Sequence, residues 1–256
     1  MIITIANKKG GVSKTTTIRN LLSEYASQGY KVLAVDTDPQ GNLSKWLGIE
    51  KQEKTVSDAL MHRYESISEI ISSTNRKNVD CICSDDNLSI TENEIAISRR
   101  EDQAVLLLNA LKEVEEKYDL IFIDTSPFFN LTTINAMASS NLVIVPIKME
   151  SDAILGAIST INEAQRISDL FGRPFAFRLL VTMKSRTNNA KESITELKDI
   201  FHGKVFETEI RYQENPVTLS VSKRKSVKEL YKDSKIASEF EELAKELAQL
   251  IQLGGN

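Results

Sequence analysis

A short segment near the N-terminus combines glycines, two lysines and hydroxyl side chains in an order that suits phosphate binding. The segment reads Lys9-Gly10-Gly11-Val12-Ser13-Lys14-Thr15-Thr16. Its glycines let the backbone approach an anion, and successive N–H groups followed by a helix N-terminus favour negative charge. Lys14 can supply a full positive charge to the β- and γ-phosphates, and the Thr15 hydroxyl can ligate Mg²⁺. These residues predict a nucleoside triphosphate site.

Three aspartates stand where two other apolar segments end. Asp36 and Asp38 follow the second apolar segment, and Asp124 ends segment 119–124. In an open α/β sheet such residues lie beside the loop after the first strand, because the carboxyl ends of parallel strands share one edge. Mg²⁺ prefers oxygen ligands, so Thr15, Asp36, Asp38 and Asp124 are the candidate metal-binding residues. We expect only one of Asp36 and Asp38 to face an attacking water directly.

Short apolar segments alternate with longer segments of helical periodicity, which predicts the elements that hold these side chains. The predicted strands are 2–6, 31–36, 79–84, 119–124, 142–147, 175–182 and 205–209. Several are apolar almost throughout, as expected of parallel strands covered on both faces. Strands that alternate with helices imply right-handed βαβ crossovers. We therefore predict an α/β fold with a doubly wound, mostly parallel sheet flanked by helices on both faces, in a single domain of residues 1–256.

Helices are predicted where apolar residues recur on one face. The first carries Ile18, Leu21 and Leu22 and ends at Gly29. Further helices are predicted over residues 151–171 and 236–251, and two short ones over 57–62 and 65–73. The chain shows no signal-peptide pattern at its N-terminus and no apolar run near the ~20 residues that a membrane span needs. We therefore expect a cytoplasmic protein without a membrane attachment.

The phosphate loop resembles the deviant Walker A loop of the ParA/MinD group of P-loop ATPases. The generic loop pattern requires glycine at positions 8 and 13, where this chain has Lys8 and Ser13. The resemblance lies instead in the additional lysine at the start of the motif, Lys9. Segment 36–42, Asp-Thr-Asp-Pro-Gln-Gly-Asn, is similar to the group's switch I pattern, and the apolar strand that ends in Asp124 is similar to its Walker B strand. The resemblance extends over about residues 1–224.

This resemblance implies a role for each candidate in catalysis. Lys9 reaches across a dimer interface to the nucleotide of the partner subunit, where a second cation offsets phosphate charge. Asp38 orients or activates the attacking water, and Asp36 supports the magnesium site at Asp124. With Lys14 on the phosphates of its own subunit, the implied catalytic residues are Lys9, Lys14 and Asp38.

Nucleotide contacts are implied at two places in the chain. One is the loop itself, from Lys9 to Thr16. The other is segment 210–216, which stands where the group has its adenine-side loop and contributes Arg211 and Pro216 as candidates. The group usually has proline at the position of Arg211, so we expect the adenine contacts to come from the backbone.

The same resemblance implies a partition-type ATPase that binds ATP or ADP with Mg²⁺. ATP closes a homodimer, the homodimer binds double-stranded DNA without sequence preference, and a ParB-like centromere-binding partner stimulates slow hydrolysis and release. Such a protein is cytoplasmic and associates with the nucleoid in its ATP-bound state. The cargo of such a protein is a plasmid or a chromosome.

Charge is distributed unevenly along the chain. The net charge is −4, yet segment 173–191 carries five cations and no acid, and segment 211–235 carries seven cations against three acids. Segment 186–188, Arg-Thr-Asn, is similar to a loop of the group whose arginine lies near the DNA-binding surface. We predict DNA contacts at Lys223, Arg224 and Lys225, while a solvated basic face without a partner stays open as the alternative.

Other functions stay open at this stage. A MinD-like membrane-cycling ATPase, or another positioning or regulatory ATPase, is the main alternative, but residues 236–256 carry four glutamates against one lysine where a membrane helix should be basic. A small-molecule ligase on the same scaffold does not need a lysine in the place of Lys9. Cys81 and Cys83 lie two apart on a predicted strand, and we interpret them as buried thiols because no further Cys or His completes a metal site.

Overall fold

The computed structural model describes residues 1–98, 102–150, 153–172, 174–185 and 187–253. Within these ranges the centre of the fold is one sheet. Its strands are β1 (Ile2–Ile5), β2 (Val32–Thr37), β3 (Ile71–Ser73), β4 (Val79–Ile82), β5 (Leu120–Thr125), β6 (Leu142–Lys148) and β7 (Ala176–Thr182). Their order is β3-β4-β2-β5-β1-β6-β7, and every neighbouring pair is parallel except β3 with β4.

The helices cover both faces of this sheet. They are α1 (Lys14–Ser27), α2 (Asn42–Trp46), α3 (Val56–Met61), α4 (Leu88–Ser98), α5 (Leu106–Lys112), α6 (Leu131–Ser139), α7 (Ala153–Phe171), α8 (Asn188–Ile200), α9 (Glu214–Ser222), α10 (Val227–Leu230) and α11 (Lys235–Leu250), with 3-10 turns at Ile67–Ile70 and Glu115–Lys117. Alternate residues of β5 separate the two cores: Leu120 and Phe122 pack with α1 and α11, whereas Ile121 and Ile123 pack with α3 and α5. The predicted α/β fold class is confirmed.

The strand order places three loops together at one edge of the sheet. From β1 the chain crosses first toward β2 and β4 and later, after β5, toward β6 and β7. The order thus reverses beside β1, and ligands of open α/β sheets bind at such a point, outside the carboxyl ends of the strands. The loops after β1, β2 and β5 meet there, and Asp36 of β2 lies directly opposite Asp124 of β5 in the register.

Two predicted elements are wrong. Residues 65–73 were expected to form a helix, but a 3-10 turn there leads into β3, whose residues pair antiparallel with Asp80–Ile82. Residues 205–209 were expected to form a strand, but only an isolated bridge joins Val205 to Leu179. The N–H groups of Glu207 and Thr208 are bound instead by the Glu246 carboxylate, so the ladder does not continue.

The predicted helices otherwise agree with the structure. Gly29 ends α1 with a left-handed φ of 97°, a conformation that favours glycine. The helix expected over 57–62 is α3. The helix expected from residue 151 is described from Ala153 onward, since Ser151 lies outside the described residues.

Candidate nucleotide-binding site

The loop between β1 and α1 has the backbone of an anion-binding turn. Gly11 and Ser13 have φ values of 71° and 68°, both in the left-handed region. The α-helix then begins at Lys14, and Thr17 N–H donates to the Ser13 carbonyl at 2.9 Å. Left-handed backbone costs about 1–2 kcal/mol for a residue with a Cβ, so Ser13 holds a conformation that glycine adopts more easily. The strain is local to the turn that presents the first N–H groups of α1.

Hydrogen bonds to the neighbouring strands β6 and β7 fix the position of this loop. Asn7 donates from Nδ2 to the Pro146 carbonyl at 2.7 Å and accepts from the Lys9 N–H at 2.9 Å. Thr182 Oγ1 donates to the Val12 carbonyl at 3.1 Å. These contacts from β6 and β7 were not predicted, because a lone Asn or Thr at a strand end carries no sequence signal of its own.

Lys14 lies inside the curve of the loop. Its Nζ donates to the carbonyls of Asn7 and Lys9 at 3.2 and 3.3 Å, and the residue is buried. Burial lowers the pKa of Lys14, while the charges of Asp124 and Asp38 act in the opposite direction. A buried cation that the described residues hold through carbonyl oxygens is ready to pair with a phosphate.

Lys9 lies at the open rim of the same loop. Its Nζ is 2.7 Å from Glu150 Oε2, and the other oxygen of Glu150 is 2.6 Å from Lys148 Nζ. Hydrogen bonds from Lys148 and then Lys9 hold the pKa of Glu150 at about 2. Lys9 and Lys14 therefore face different environments: one is buried within its own loop, and the other is half-exposed beside a carboxylate.

Asp124 is fully buried near the end of β5. Burial and the neighbouring charge of Asp36 raise the pKa of Asp124 to about 7, against smaller opposing effects of the Thr15 hydroxyl and Arg19. Thr15 is near enough to favour the ionised form, yet neither carboxylate oxygen has a partner at full hydrogen-bond geometry among the described residues. A buried carboxylate without such partners is costly unless a ligand or cation completes it.

The Asp36 carboxylate accepts hydrogen bonds from the switch segment and from the helix that follows it. Its Oδ2 accepts from Ser44 N–H at 2.8 Å and from Ser44 Oγ at 2.7 Å, and its Oδ1 accepts from Asp38 N–H at 3.2 Å. Burial raises the pKa of Asp36, and the bonds from Ser44 partly offset it. Ser44 was not predicted; only its position within the helix after the switch segment could have pointed to it.

Asp38 is partly exposed just beyond the end of β2. Its Oδ1 accepts from Gln40 N–H at 3.0 Å, and its carbonyl accepts from Gly41 N–H at 2.8 Å. Gly41, with φ 58°, turns the chain directly into α2. Asp36 and Asp38 differ because β2 ends at Thr37: Asp36 is turned into the fold, and Asp38, beyond the strand, is left at the site's edge.

These residues fit a magnesium ion held with a nucleotide. Thr15 offers a hydroxyl and Asp124 a buried carboxylate that lacks partners, both hard oxygen ligands. In the described ranges no group of three or more His, Cys, Asp or Glu side chains is arranged to hold a metal alone. This agrees with Mg²⁺, which usually takes one or two carboxylates and obtains its other ligands from water and phosphate.

A pocket of about 190 Å³ adjoins the phosphate loop and offers a place for the base. Ser13 and Thr16 form its loop side, and Arg211 lies on its rim with Nε donating to Glu239 Oε1 at 2.7 Å. Pro216 is buried in the first turn of α9 behind this wall. The remaining lining residues are Met183, Ile210, Tyr212, Gln213, Glu214, Val217, Thr218, Ile236 and Phe240. Ile236 and Phe240 belong to the helix predicted over residues 236–251, and their part in this pocket was not predicted.

Comparison with known proteins places this site in a family. A family model described as an AAA domain matches residues 1–174. The sporulation initiation inhibitor protein Soj of Bacillus subtilis is 39% identical over 82% of this chain and 83% of its own length. The chromosome partitioning protein ParA of Myxococcus xanthus is 31% identical over 80% of this chain and 73% of its own. The chain belongs to the ParA-type P-loop partition ATPases.

The fold of this ParA-type ATPase recurs in a nucleotide-bound enzyme. Cobyrinic acid a,c-diamide synthase from Mycobacterium smegmatis, solved with an ATP analogue and magnesium, is similar with a TM-score of 0.83 and 24% identity, covering 99% of this chain and 96% of that one. This likeness shows the shared scaffold and does not assign the synthase's reaction. Among the described helices of the ATPase, none is long and apolar enough to cross a bilayer.

The basic segments of the ATPase lie in two clefts. One, of about 850 Å³, is lined by Lys148, Lys184, Lys191 and Arg211 beside the exposed Tyr212. The other, of about 870 Å³, lies between the end of α1 and the α9–α10 connection and includes the exposed residues Lys223, Arg224 and Lys225. Arg173 and Arg186 of the predicted basic surface lie outside the described residues.

Cys81 of β4 and Cys83, one residue beyond its end, are buried, free thiols with 3.7 Å between their sulfur atoms. Their interpretation as buried thiols agrees with the structure.

Proposed function

We propose that this protein is an ATP-dependent DNA partition ATPase whose ATP-bound homodimer binds DNA. The observation that carries the proposal is the contrast between the two lysines of one loop. Lys14 is buried where the phosphates of its own nucleotide would lie, whereas Lys9 is at the rim and outside that cradle. A cation in the position of Lys9 is suited to the nucleotide of a second subunit.

Within one subunit, different residues bind the phosphates, the metal and the base of ATP. Lys14 pairs with the β- and γ-phosphates, and the N–H groups at the start of α1 surround them. Thr15 and Asp124 hold the metal, with Asp36 and Asp38 as the further acidic side chains of the site. Bound Mg²⁺ neutralises phosphate charge in the transition state. Backbone groups near Arg211 and Pro216 contact the base.

Hydrolysis requires a positioned water, and Asp38 is the residue proposed to orient it. Its place at the partly exposed edge allows the carboxylate to accept a hydrogen bond from water, which the buried Asp36 is not free to do because Ser44 occupies it. Asp36 instead fixes α2 against the switch segment. Intrinsic turnover is slow in this account, and a ParB-like centromere-binding partner accelerates it.

The dimer is proposed to bind double-stranded DNA without sequence preference. Lys223, Arg224 and Lys225 are exposed in the second cleft and suit contacts with phosphates. Each neutralised phosphate adds a salt-sensitive increment of affinity, so two copies of this surface on one duplex bind far more tightly than one. ATP thus switches DNA affinity through dimerisation, in the cytoplasm and on the nucleoid.

A light-scattering measurement tests the dimer. The Asp38→Ala protein, which should retain ATP, is expected to be a dimer with Mg²⁺ and ATP and a monomer with ADP. Adding Lys9→Ala should leave ATP bound to a monomer. As a matched control, Lys8→Ala removes the adjacent exposed cation and should not affect the dimer. An ATP dimer that persists without Lys9 would refute the sandwich arrangement.

The MinD-like alternative needs an apolar helix face that can insert into a membrane. The apolar face of α11 is buried against α1 through residues such as Phe240 and Leu243, and Tyr25 of α1 donates to the Ala244 carbonyl at 2.8 Å. This packing favours the partition function over membrane cycling. Binding to anionic vesicles in place of DNA would reverse that preference.

A further inference from the structure

The single tryptophan of the chain joins the switch segment to the basic cleft. Trp46 is the last residue of α2 and is 2% exposed. Its Nε1 donates to the Ser220 carbonyl in the last turns of α9 at 3.3 Å. The guanidinium of Arg76 lies 3.9 Å from the centroid of its ring, within the range of a cation–π contact.

On one side, Trp46 is tied to the switch segment that starts at Asp36. The Asp36 carboxylate binds both the N–H and the hydroxyl of Ser44, and Arg19 donates to the Asn42 carbonyl at 2.5 Å. Helix α2 has five residues and is about 7.5 Å long, so it moves as one short rod when the switch segment moves. Trp46 stands at the far end of that rod.

On the other side, Arg76 holds the backbone of the basic loop, residues 223–225. Its Nη2 donates to the Arg224 carbonyl at 2.7 Å, and its Nη1 is 3.0 Å from Glu229 Oε2. Arg224 has a φ of 52°, a left-handed conformation that an arginine keeps only with support from its surroundings. Arg76 is largely buried, with 13% of its side chain exposed.

Helix α9 links the same loop to the base pocket. Glu214, Val217 and Thr218 near its start line that pocket, while Lys223 caps its end. Nine residues span about 13 Å. Trp46 is hydrogen-bonded to this helix at Ser220, between its two ends. A shift of α2 would therefore displace the helix that ends in the basic loop.

We propose that Trp46 and Arg76 are positioning residues that transmit the nucleotide state of the switch segment to the basic loop. Packed interiors change between discrete arrangements more readily than they deform continuously, so a displacement of α2 requires Trp46, Arg76 and the loop to move together. ATP then affects DNA affinity in two ways, through dimerisation and through the shape of loop 223–225. The consequence for DNA rests on the proposed function; the relay itself does not.

Hydrogen exchange of the backbone amides of residues 220–226 tests the relay directly. In the wild-type protein, Mg²⁺ and ATP are expected to change exchange in this segment several-fold. Arg76→Lys keeps the positive charge but loses the planar fork that stacks on Trp46 and donates to Ser23, Arg224 and Glu229 at once. In that variant the ATP-dependent change should shrink at least threefold, with ATP affinity and dimerisation retained.

Two further variants keep the test decisive. Trp46→Phe retains a ring beneath Arg76 but removes the donor to Ser220, so it should give an intermediate loss. Arg63→Lys makes the same chemical change at an exposed pair with Glu94 and should behave as wild type. The relay is refuted if Arg76→Lys shows the wild-type response, or if ATP leaves residues 220–226 of the wild-type protein unchanged.

DNA binding separates the relay from the function on which its consequence rests. The increase in DNA affinity that ATP produces should fall about tenfold in Arg76→Lys while the dimer persists. If the wild-type protein binds no DNA but residues 220–226 respond to ATP through Arg76, the partition function fails and the relay stands. If DNA binding depends on ATP and Arg76→Lys changes neither readout, the relay fails and the partition function stands.

Discussion

At the scale of single residues, the site separates groups by burial. Asp36 and Asp124 lie opposite each other on two parallel strands without solvent, and burial raises the pKa of both. The charge of Asp36 raises the pKa of Asp124 further, and the charge of Asp38 adds to the pKa of Asp36. Asp38, two residues further along, stays at the edge. The same type of side chain can therefore support the fold, hold a metal or act on water, depending on how far along the strand it stands.

Removing the Asp38 carboxylate should abolish turnover and spare binding. Asp38→Ala is expected to bind ATP with near wild-type affinity and to hydrolyse it at least ~100-fold more slowly. This is the usual effect of losing a side chain that orients or activates the attacking water. Phosphate release and nucleotide titration measure the two quantities separately. Glu53→Ala, at an exposed acid, is the matched control. Wild-type turnover in Asp38→Ala would remove this residue from the mechanism.

Asp124 should make the nucleotide-free protein less stable as the pH rises. The unfolded chain releases this proton near pH 4. The folded chain keeps it until about pH 7. The folded state binds more protons between these values, so increasing pH favours unfolding in that window. The free energy of unfolding, measured in EDTA from pH 4.5 to 8, should fall less steeply for Asp124→Asn than for wild type. Parallel curves for the two proteins would mean that Asp124 is ionised throughout.

At the scale of elements, the phosphate loop combines glycine at one left-handed position with serine at another. Ser13→Gly should stabilise the protein by up to about 1 kcal/mol, because glycine adopts this φ without steric cost. Gly11→Ala is the matched opposite change: its new Cβ meets open space, so its expected cost of about 1 kcal/mol is conformational. Denaturant unfolding measures both. A destabilised Ser13→Gly protein would show that the hydroxyl contributes more than the backbone strain costs.

The sequence predicts elements well where apolar periodicity and motif order coincide. Six of the seven strands were predicted because their apolar runs are largely buried, and the helix of the phosphate loop was predicted because its apolar residues recur on one face. β3 was missed because a three-residue edge strand, Ile71–Ser73, is too short to show alternation. Segment 205–209 was misassigned because Glu246, some 40 residues later, accepts hydrogen bonds from the N–H groups of Glu207 and Thr208, which a strand would have paired. Such long-range competition leaves no local pattern.

The site was predicted in a similar, uneven way. Residues inside a motif, such as Lys14 and Asp124, can be predicted from their type and spacing. The structure brings them together at one edge of the sheet. Asn7, Ser44 and Thr182 hold the same loops through contacts with distant carbonyls and carboxylates, which depend on strand order. That order becomes visible only in the folded chain.

At the scale of the whole molecule, the proposed DNA binding depends on the distribution of charge. Lys223, Arg224 and Lys225 form a run of three exposed cations in a chain with a net charge of −4. Changing these three residues to Glu should reduce DNA affinity about 100-fold or more and leave the ATP dimer intact. Lys112, Lys117 and Arg166 are exposed elsewhere, and their combined reversal to Glu makes the same change in net charge. Equal losses for both triple variants would indicate bulk charge in place of a specific surface.

The proposed function requires that ATP turn this protein into a DNA-binding dimer. The most direct test is fluorescence anisotropy of a labelled random-sequence duplex titrated with wild-type protein in Mg²⁺ with ATP, with ADP and without nucleotide. The account predicts tight binding with ATP, at least ~100-fold weaker binding in the other two states, no preference between unrelated duplexes, and a steep loss of affinity with added salt. DNA affinity that is the same in all three nucleotide states, or absent in each of them, would contradict it.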